Sequence, residues 1–159
     1  MTLRLWLPGY HTPSLNRTQG RHWTVAQAGK QEVAREVLKA LPVGATASLA
    51  LARKVLLLLQ AGGAVAKKVA ALHAASRLEV REGLTRVHYV RVTCAPLDAE
   101  NFVGSTKALT DCLRYAFPAM LPDDRPEDVE ITHTQERCAS RIEEGTWVHL
   151  TAVSNTGSE

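Results

Sequence analysis

Two carboxylates lie two residues apart in the segment APLDAENFVGSTKALTDCL, residues 95–113. Asp98 and Glu100 follow a β-branched and aromatic run that ends at Pro96, and they precede an amphipathic pattern. This places them where a strand gives way to a helix. Two ionised groups about 4 Å apart repel each other by roughly 4 kcal/mol at a surface-like dielectric. A bound cation would offset this repulsion, and so would the positive end of the helix.

A second acidic pair, Asp123 and Asp124, lies just past the next helix, in the proline-bounded segment LPDDRPED. If the chain folds back there, these two carboxylates converge with Asp98 and Glu100 on one site. Carboxylate oxygens without cysteine partners suit hard cations such as Mg²⁺ or Mn²⁺, which keep several waters and are completed by substrate phosphates. The chemistry that such a site would support is metal-assisted phosphoryl transfer.

A cation also lies close to this pattern in the sequence. Lys107 follows Glu100 by about two helical turns, where its ammonium group could contact a phosphate. Because Asp111 lies four residues further on, a simpler interpretation is an ordinary helix pair worth a few tenths of a kcal/mol. Likewise Asp98, Glu100 or Asn101 could serve only as a helix cap, and the second acidic pair could be only a turn. Both interpretations stay open on the residues alone.

The elements that must position these residues follow from the hydrophobic pattern. The helix that contains Lys107 keeps its apolar residues on one stripe. The pattern predicts a mixed α/β (α+β) fold, with a small sheet of about four strands packed with helices. Strands are predicted over residues 3–7 and 86–96 and in VEITHTQ and TWVHLTAV, and helices over residues 23–41 and 102–117.

The middle of the chain is rich in Ala and Leu. Residues 46–76 are interrupted by Gly62 and Gly63, and two helical segments are predicted there, although TASLALA alternates well enough to be a strand. At 159 residues the chain fits one domain, over residues 1–153. The tail SNTGSE, residues 154–159, is expected to fray.

Basic and acidic residues are unequally distributed along the chain. Residues 1–95 carry a net charge of +10 and residues 96–159 a net charge of −7, which together give +3. The basic part could bind a polyanion such as nucleic acid, and the acidic part could hold a metal. Two solvated surfaces that neutralise each other would give the same distribution, and charge alone favours that simpler interpretation.

The polar segment HTPSLNRTQGRHW, residues 11–23, interleaves cations with aromatic rings. Such a loop could track a nucleic-acid backbone and stack on its bases. Trp23 could equally anchor the loop to the core, and the residues by themselves favour that interpretation.

The cysteines and the apolar runs limit other classes of function. Cys94, Cys112 and Cys138 are odd in number, far apart and without a CxxC pair, which argues against a disulfide framework and a zinc site. A packing role is expected for them. No secretory signal is predicted at the start, and the most apolar run, residues 55–66, is too short to span a bilayer. A cytoplasmic protein without a membrane partner is expected.

Four elements of the sequence, in order, resemble the RusA family of Holliday-junction resolvases, especially its divergent phage and bacterial members. Each motif is weak alone, but their order and the strands and helix around them make the match more specific. The elements are PSLN at residues 13–16, LDAEN at 97–101 for the family's LDxDN, KALTD at 107–111 for KxxxD, and DD at 123–124.

The resemblance covers about residues 3–30 and 86–152 and leaves residues 43–85 as an unmatched helical insert. It implies a RusA-like fold and a Mg²⁺-dependent homodimer, of bacterial or phage origin, that cleaves branched DNA at four-way junctions. In this chain the implied metal-binding catalytic carboxylates are Asp98, Glu100 and Asp124, with Asp123 as a further metal ligand and Lys107 as a catalytic phosphate contact. The implied DNA-binding residues are Asn16, Arg17, Arg21, Lys30 and Lys107.

Glu100 departs from the family pattern, which has Asp at this position. One more methylene moves the carboxylate, and Mg²⁺ tolerates poor geometry badly, so activity would be weakened, shifted toward Mn²⁺ or lost. The leading hypothesis is a metal-dependent, structure-specific endonuclease. The alternatives are a catalytically inactive DNA-binding relative and a protein-interaction module whose acidic residues are caps and turns.

Overall fold

The computed structural model of the chain describes residues 2–12, 23–122 and 127–153. Within them four strands form one mixed sheet, as predicted. The strand order is β1-β4-β2-β3, with β4 antiparallel to both β1 and β2, and with β3 parallel to β2. The strands are β1 (Thr2–Pro8), β2 (Thr85–Thr93), β3 (Val129–Arg137) and β4 (Gly145–Ala152).

Helices account for most of the remaining described residues, and the predicted α+β class is confirmed. None of them is both long and apolar enough to cross a membrane, within the described part of the chain. They are α1 (Trp23–Ala40), α2 (Ala47–Ala61), α3 (Ala66–Ser76), α4 (Ala99–Ser105) and α5 (Lys107–Ala116), with a short 3-10 turn at Arg141–Glu143.

The Ala- and Leu-rich segment forms two helices, so the strand alternative for TASLALA is wrong. Thr46 caps α2, because its hydroxyl oxygen accepts the backbone N–H of Leu49 at 3.3 Å. The helix ends at Gly62, whose φ of 77° favours glycine. Its N–H donates to the carbonyl of Leu58 and so completes the end of the helix.

One helix was predicted over residues 102–117, but the structure has two there, because the helix is interrupted at Thr106. The Thr106 hydroxyl bonds to the carbonyl of Val103 at 3.0 Å and to Nε2 of His133 on β3 at 2.8 Å. The apolar stripe is nevertheless confirmed, since all four of its residues are buried: Phe102, Leu109, Leu113 and Phe117. The strand predicted over residues 86–96 ends earlier, at Thr93.

The main core lies between one face of the sheet and the helices. Alternate residues of β1 supply Leu3, Leu5 and Leu7, each at most 6% exposed. Burying one such side chain stabilises the fold by about 1.5–3 kcal/mol relative to leaving it exposed. Tyr89 of β2 is fully buried and shares a hydrogen bond of 2.7 Å with the hydroxyl of Thr110 on α5. The sheet and α5 are therefore joined by both apolar and polar contacts.

The helical insert predicted over residues 43–85 takes part in the core. One side of α2 contributes Leu49, Ala52 and Leu56 to the main core. Its other side forms a second, smaller cluster with α3, made of Leu51, Val55 and Val69. We conclude that α2 is needed for the core and that α3 is attached mainly through α2.

Candidate functional site

The junction that carries the predicted carboxylates lies between β2 and α4. The main chain of Leu97 is tied to β3, because its N–H donates to Oε1 of Gln135 at 2.9 Å and its carbonyl accepts from Nε2 at 2.7 Å. Asp98 follows directly as the N-cap of α4. The junction is thus held against β3 by two hydrogen bonds to a single side chain.

The carboxylate of Asp98 caps the helix. Its Oδ1 accepts the backbone N–H of Asn101 at 2.9 Å, and its Oδ2 accepts the side-chain amide of the same residue. Both bonds hold the pKa of Asp98 below its ordinary value, and the bond from the backbone N–H is the larger cause. The group is therefore ionised at neutral pH. Because each carboxylate oxygen has a second lone pair, capping leaves Asp98 able to bind a cation as well.

Glu100 lies exposed in the first turn of α4, two residues after the cap. It makes no hydrogen bond or ion pair with the part of the chain that the structure describes. The partial positive charge at the start of a helix favours both carboxylates, so two acidic residues at these positions do not need a cation. The acidic pair is thus compatible with a metal site and does not require one.

Lys107 is the first residue of α5 and forms a loose surface pair. Its Nζ lies 3.9 Å from Oδ2 of Asp111, and the two side chains are 78% and 39% exposed. Such a pair contributes a few tenths of a kcal/mol at most. The break at Thr106 means that Lys107 does not continue the helix that Asp98 caps.

Lys30, a predicted DNA contact, is exposed on α1 and lines a cleft of about 620 Å³. Asp111 of α5 and His73 of α3 line the same cleft. Asp98, Glu100 and Lys107 do not line it. This cleft therefore does not unite the residues predicted to act together.

Five of the predicted site residues lie outside the described residues: Asn16, Arg17, Arg21, Asp123 and Asp124. The convergence of Asp98 with Asp124 stays a prediction. The residues on either side of the acidic turn are both bonded to Thr85. The hydroxyl of Thr85 donates to the carbonyl of Met120, and the backbone N–H of Thr85 donates to the carbonyl of Asp128. Thr85 begins β2, whereas Asp98 follows the other end of this strand. Leu97, next to Asp98, is bonded to Gln135, which pairs with Arg91, about 20 Å along the strand from Thr85, so convergence requires the turn to extend toward Asp98.

A second group of chemically active side chains, which we call the thiol cluster, consists of Cys94, Cys138 and Glu144. Their ligating atoms all lie within 4.8 Å of one another, and they are the one such group of three in residues 2–12, 23–122 and 127–153. Cys94 and Cys138 directly follow the last residues of the parallel strands β2 and β3, and Glu144 directly precedes β4. The register of the sheet brings these three chain positions together.

Two of the cysteines, although far apart along the chain, lie close together in space. The Sγ atoms of Cys94 and Cys138 lie 3.5 Å apart, and both side chains are half-buried, so distance along the chain was a poor guide. The packing role is confirmed for Cys112, which is 6% exposed on α5. The missed signal was positional, because each of the paired cysteines is the first residue after one of two parallel strands.

Glu144 is held in place by several donors. Its Oε1 accepts the backbone N–H of Cys94 at 2.8 Å and the hydroxyl of Thr93 at 3.2 Å, and its Oε2 lies 3.4 Å from Nε2 of His11. The N–H of Cys94 is the largest cause that lowers the pKa of Glu144, to about 2. Burial, with Arg91 nearby, lowers the pKa of His11. Glu144 is therefore a fixed carboxylate beside a largely neutral imidazole.

Cys94 and Cys112 are not activated as nucleophiles. The hydrogen bond with Cys138 is the first cause that raises the pKa of Cys94, to about 11. Burial raises the pKa of Cys112 to about 12. A catalytic cysteine needs a low pKa because the thiolate is the reactive form, and neither Cys94 nor Cys112 has one.

The face of the sheet that points away from the helices carries an aromatic strip. The rings of Trp6 and Trp147 lie 5.0 Å apart, His149 lies 5.8 Å from Trp147, and His88 lies 6.0 Å from His149. Trp147 is 37% exposed, and Arg4 is exposed on the adjoining strand. Sequence reasoning did not single out this strip. Exposed rings beside a cation can stack on unpaired bases.

The chain was compared with protein-family models, curated proteins and solved structures. No family model, no curated protein and no solved structure matches it.

Proposed function

We propose that this protein is a metal-dependent, structure-specific endonuclease that hydrolyses phosphodiesters in branched DNA. The observation that carries the proposal is the junction of β2 and α4, where Asp98 is ionised and Glu100 is exposed and without a partner among the described residues. The junction lies in the sequence element that resembles the RusA motif, followed by Lys107 on the next helix. We further propose that the protein acts in the cytoplasm as a homodimer.

The junction fits the donor set that Mg²⁺ prefers. Mg²⁺ is usually bound by one or two carboxylates and completed by waters and substrate phosphates, so Asp98 and Glu100 would suffice to hold it. Asp123 and Asp124 would add ligands if the acidic turn reaches the junction. When bound, the ion lowers the pKa of a water and neutralises charge on the phosphate oxygens. Glu100 in place of Asp predicts tolerance of Mn²⁺.

The chain's own residues would orient the substrate. Asp98 and Glu100 would hold the ion at the start of α4, and Lys107 would bind a phosphate at the start of α5. The basic residues Arg17, Arg21 and Lys30, together with Asn16, would contribute contacts that do not depend on base sequence. Because a four-way junction has approximate two-fold symmetry, a symmetric dimer would place one site on each of two equivalent strands.

A second candidate function is binding of branched DNA without cleavage. The aromatic strip of Trp6 and Trp147 favours this candidate, because exposed rings can stack on bases that open at a branch point. In this case the carboxylates of Asp98 and Glu100 would serve α4 alone. The two candidates agree on the substrate and differ only in whether a bond is broken.

The test is a cleavage assay on a labelled four-way DNA junction, with Mg²⁺ and separately with Mn²⁺. We expect paired nicks with the natural chain and a loss of rate of about 100-fold or more in Asp98→Asn, because a metal contributes several kcal/mol to the transition state. Asn keeps the oxygen that caps the helix and loses only the bond to the Asn101 amide, so the melting temperature of Asp98→Asn should fall only slightly. A Glu79→Gln variant, which changes an exposed carboxylate outside the junction, is the matched control.

Two other outcomes of this assay would each support one of the alternative functions. Binding of the four-way DNA junction without cutting, under either metal, would support the DNA-binding candidate and contradict the endonuclease. Absence of both binding and cutting, with a melting temperature that divalent metal leaves unchanged, would support an interaction module whose acidic residues are only caps and turns.

A further inference from the structure

The thiol cluster lies outside the site proposed for cleavage and has a different donor chemistry. It combines two sulfur atoms with one carboxylate, whereas the junction offers carboxylates alone. Soft thiolate ligands select zinc-like ions, and Mg²⁺ prefers oxygen. We propose that Cys94, Cys138 and Glu144 form a binding site for a thiophilic divalent cation of the Zn²⁺ type.

The spacing of the ligands matches a tetrahedral ion. With Zn–S bonds of about 2.3 Å, two thiolates on one tetrahedral Zn²⁺ lie about 3.8 Å apart. The Sγ atoms of Cys94 and Cys138 are 3.5 Å apart, so binding needs only a small adjustment of the side chains. A disulfide would require the sulfurs to approach to about 2.05 Å. The observed separation is thus much closer to shared coordination than to a covalent bond.

The backbone around the cluster is fixed before any ion binds. The N–H of Cys138 donates to the carbonyl of Thr93 at 3.3 Å, which extends the parallel pairing of β2 and β3 up to the two cysteines. The carboxylate of Glu144 is oriented by the N–H of Cys94 and the hydroxyl of Thr93. Such supporting hydrogen bonds are typical of metal-binding carboxylates.

His11 completes the surroundings of the site. Its Nε2 lies 3.4 Å from Oε2 of Glu144, and neither ring nitrogen makes a hydrogen bond with the described residues, although both are buried. His11 therefore lies beside the ligating carboxylate without holding it by a hydrogen bond. With three protein ligands, the fourth position of the ion is filled by water.

The ion would join the ends of three strands. Cys94 follows β2, Cys138 follows β3 and Glu144 precedes β4, so one ion would link segments that are separated by up to 50 residues in the chain. Cys94 is also four residues before Asp98. The bound ion would therefore restrain the segment that leads into the proposed cleavage site without taking part in cleavage.

The test uses Co²⁺ as a spectroscopic probe and Zn²⁺ as a competitor, with the whole chain kept reduced by a phosphine. We expect one Co²⁺ per chain with a thiolate-to-cobalt charge-transfer band, which Zn²⁺ displaces and an excess of Mg²⁺ does not. Cys94→Ser and Cys138→Ser should weaken binding at least tenfold and remove most of the band. Cys112→Ala, which removes the buried cysteine outside the cluster, should leave the band intact.

Two further measurements keep the outcome clear if a serine variant folds poorly. Cys138→His retains a metal ligand, so it should bind Co²⁺ with the band intensity of a single thiolate. Zn²⁺ should also raise the melting temperature of the natural chain and not that of Cys94→Ser. Binding of Co²⁺ without a thiolate band would overturn the proposal. So would a reduced chain that binds no metal, whether or not Cys94 and Cys138 form a disulfide on exposure to air.

Discussion

The acidic junction and the thiol cluster share the segment after β2, since Cys94 lies four residues before Asp98, and they are built in opposite ways. The junction draws Asp98 and Glu100 from neighbouring positions, and both are exposed. The cluster draws Cys94, Cys138 and Glu144 from three separate segments, and all are half-buried. The carboxylates of the junction are accounted for by the helix that they begin. The cluster has no such local explanation, because only the pairing of strands brings its members together.

This difference shows what adjacency in a sequence can and cannot establish. Neighbouring acidic residues at the start of a helix satisfy local needs, as Asp98 does by accepting two hydrogen bonds from Asn101. Side chains that meet only through tertiary structure carry no local benefit of that kind. The geometric case for metal binding is therefore stronger at the thiol cluster, whereas the case for cleavage rests on the resemblance of the junction to a known motif.

The largest expected effect comes from a substitution at Gly145, which should disrupt the thiol cluster and leave the acidic junction between β2 and α4 intact. A Cβ added at Gly145 would lie 2.4 Å from Cη2 of Trp6 and 2.7 Å from the carbonyl oxygen of Leu7. Gly145→Ala should thus push β4 away from β1, displace Glu144, and lower the free energy of unfolding by about 1–3 kcal/mol. Urea titration measures the stability, and cobalt absorption should show that the metal site is weakened as well.

The matched control for this substitution is Gly29→Ala in the middle of α1. A Cβ at Gly29 would meet nothing within 4 Å. Alanine is the better helix former, so this variant should raise the free energy of unfolding by about 0.5–1 kcal/mol. Equal stability of Gly145→Ala and the natural chain would contradict the close approach of β1 and β4 at this end of the sheet.

The next expected effect is a dependence on acid that separates the two regions. The pKa of Glu144 is about 2 in the folded chain against an ordinary 4.5, so its contribution to stability is complete above pH 4.5 and is lost as the pH falls toward 2. His11 acts in the same direction, since its lowered pKa means that protonation favours the unfolded chain. The charged or titratable groups that face Glu144 are His11, Arg91, Cys94 and Cys138.

Unfolding measured across this range, in chelator so that metal is excluded, tests the assignment. Glu144→Gln should flatten the loss of stability between pH 4.5 and pH 2. Glu143→Gln changes the adjacent carboxyl and should keep that loss, because Glu144 remains. Asp98→Asn should remove a separate part, since the pKa of Asp98 is also lowered. If Glu143→Gln and Glu144→Gln behaved alike, the hydrogen bonds assigned to Glu144 would be wrong.

Most of the secondary structure could be predicted because burial in this chain is periodic. The helix of residues 23–40 and the strand of residues 2–8 each place apolar residues at the spacing of their own geometry, and both were predicted closely. The division at Thr106 was missed because the local signal, Gly104 two residues earlier, weakens a helix without necessarily ending it. Thr106 is neither Gly nor Pro, and its bond to His133 exists only once β3 is in place.

The candidate sites were less predictable than the elements that carry them. The sequence offered Asp98, Glu100 and Asn101 as possible caps of this helix, and the structure identifies Asp98 as the cap. The meeting of Cys94 with Cys138 depends on β2 and β3 being parallel and in register, which no local pattern reveals. The predicted strand boundaries hid this correspondence, because the strand predicted over residues 86–96 includes Cys94 and VEITHTQ ends three residues before Cys138.

The smallest expected effect concerns Lys107, which distinguishes a phosphate contact from a surface helix pair. Lys107→Ala should change the free energy of unfolding by only a few tenths of a kcal/mol, because its pair with Asp111 is long and exposed. If Lys107 binds a phosphate, the slope of log K against log salt for junction DNA should fall by about 0.9. Fluorescence anisotropy over a range of salt measures this slope. Lys67→Ala on α3 changes an exposed lysine of the insert and should leave the slope unchanged. Because counterion release counts each phosphate contact separately, equal slopes for both variants would remove Lys107 from the DNA surface even if cleavage were observed.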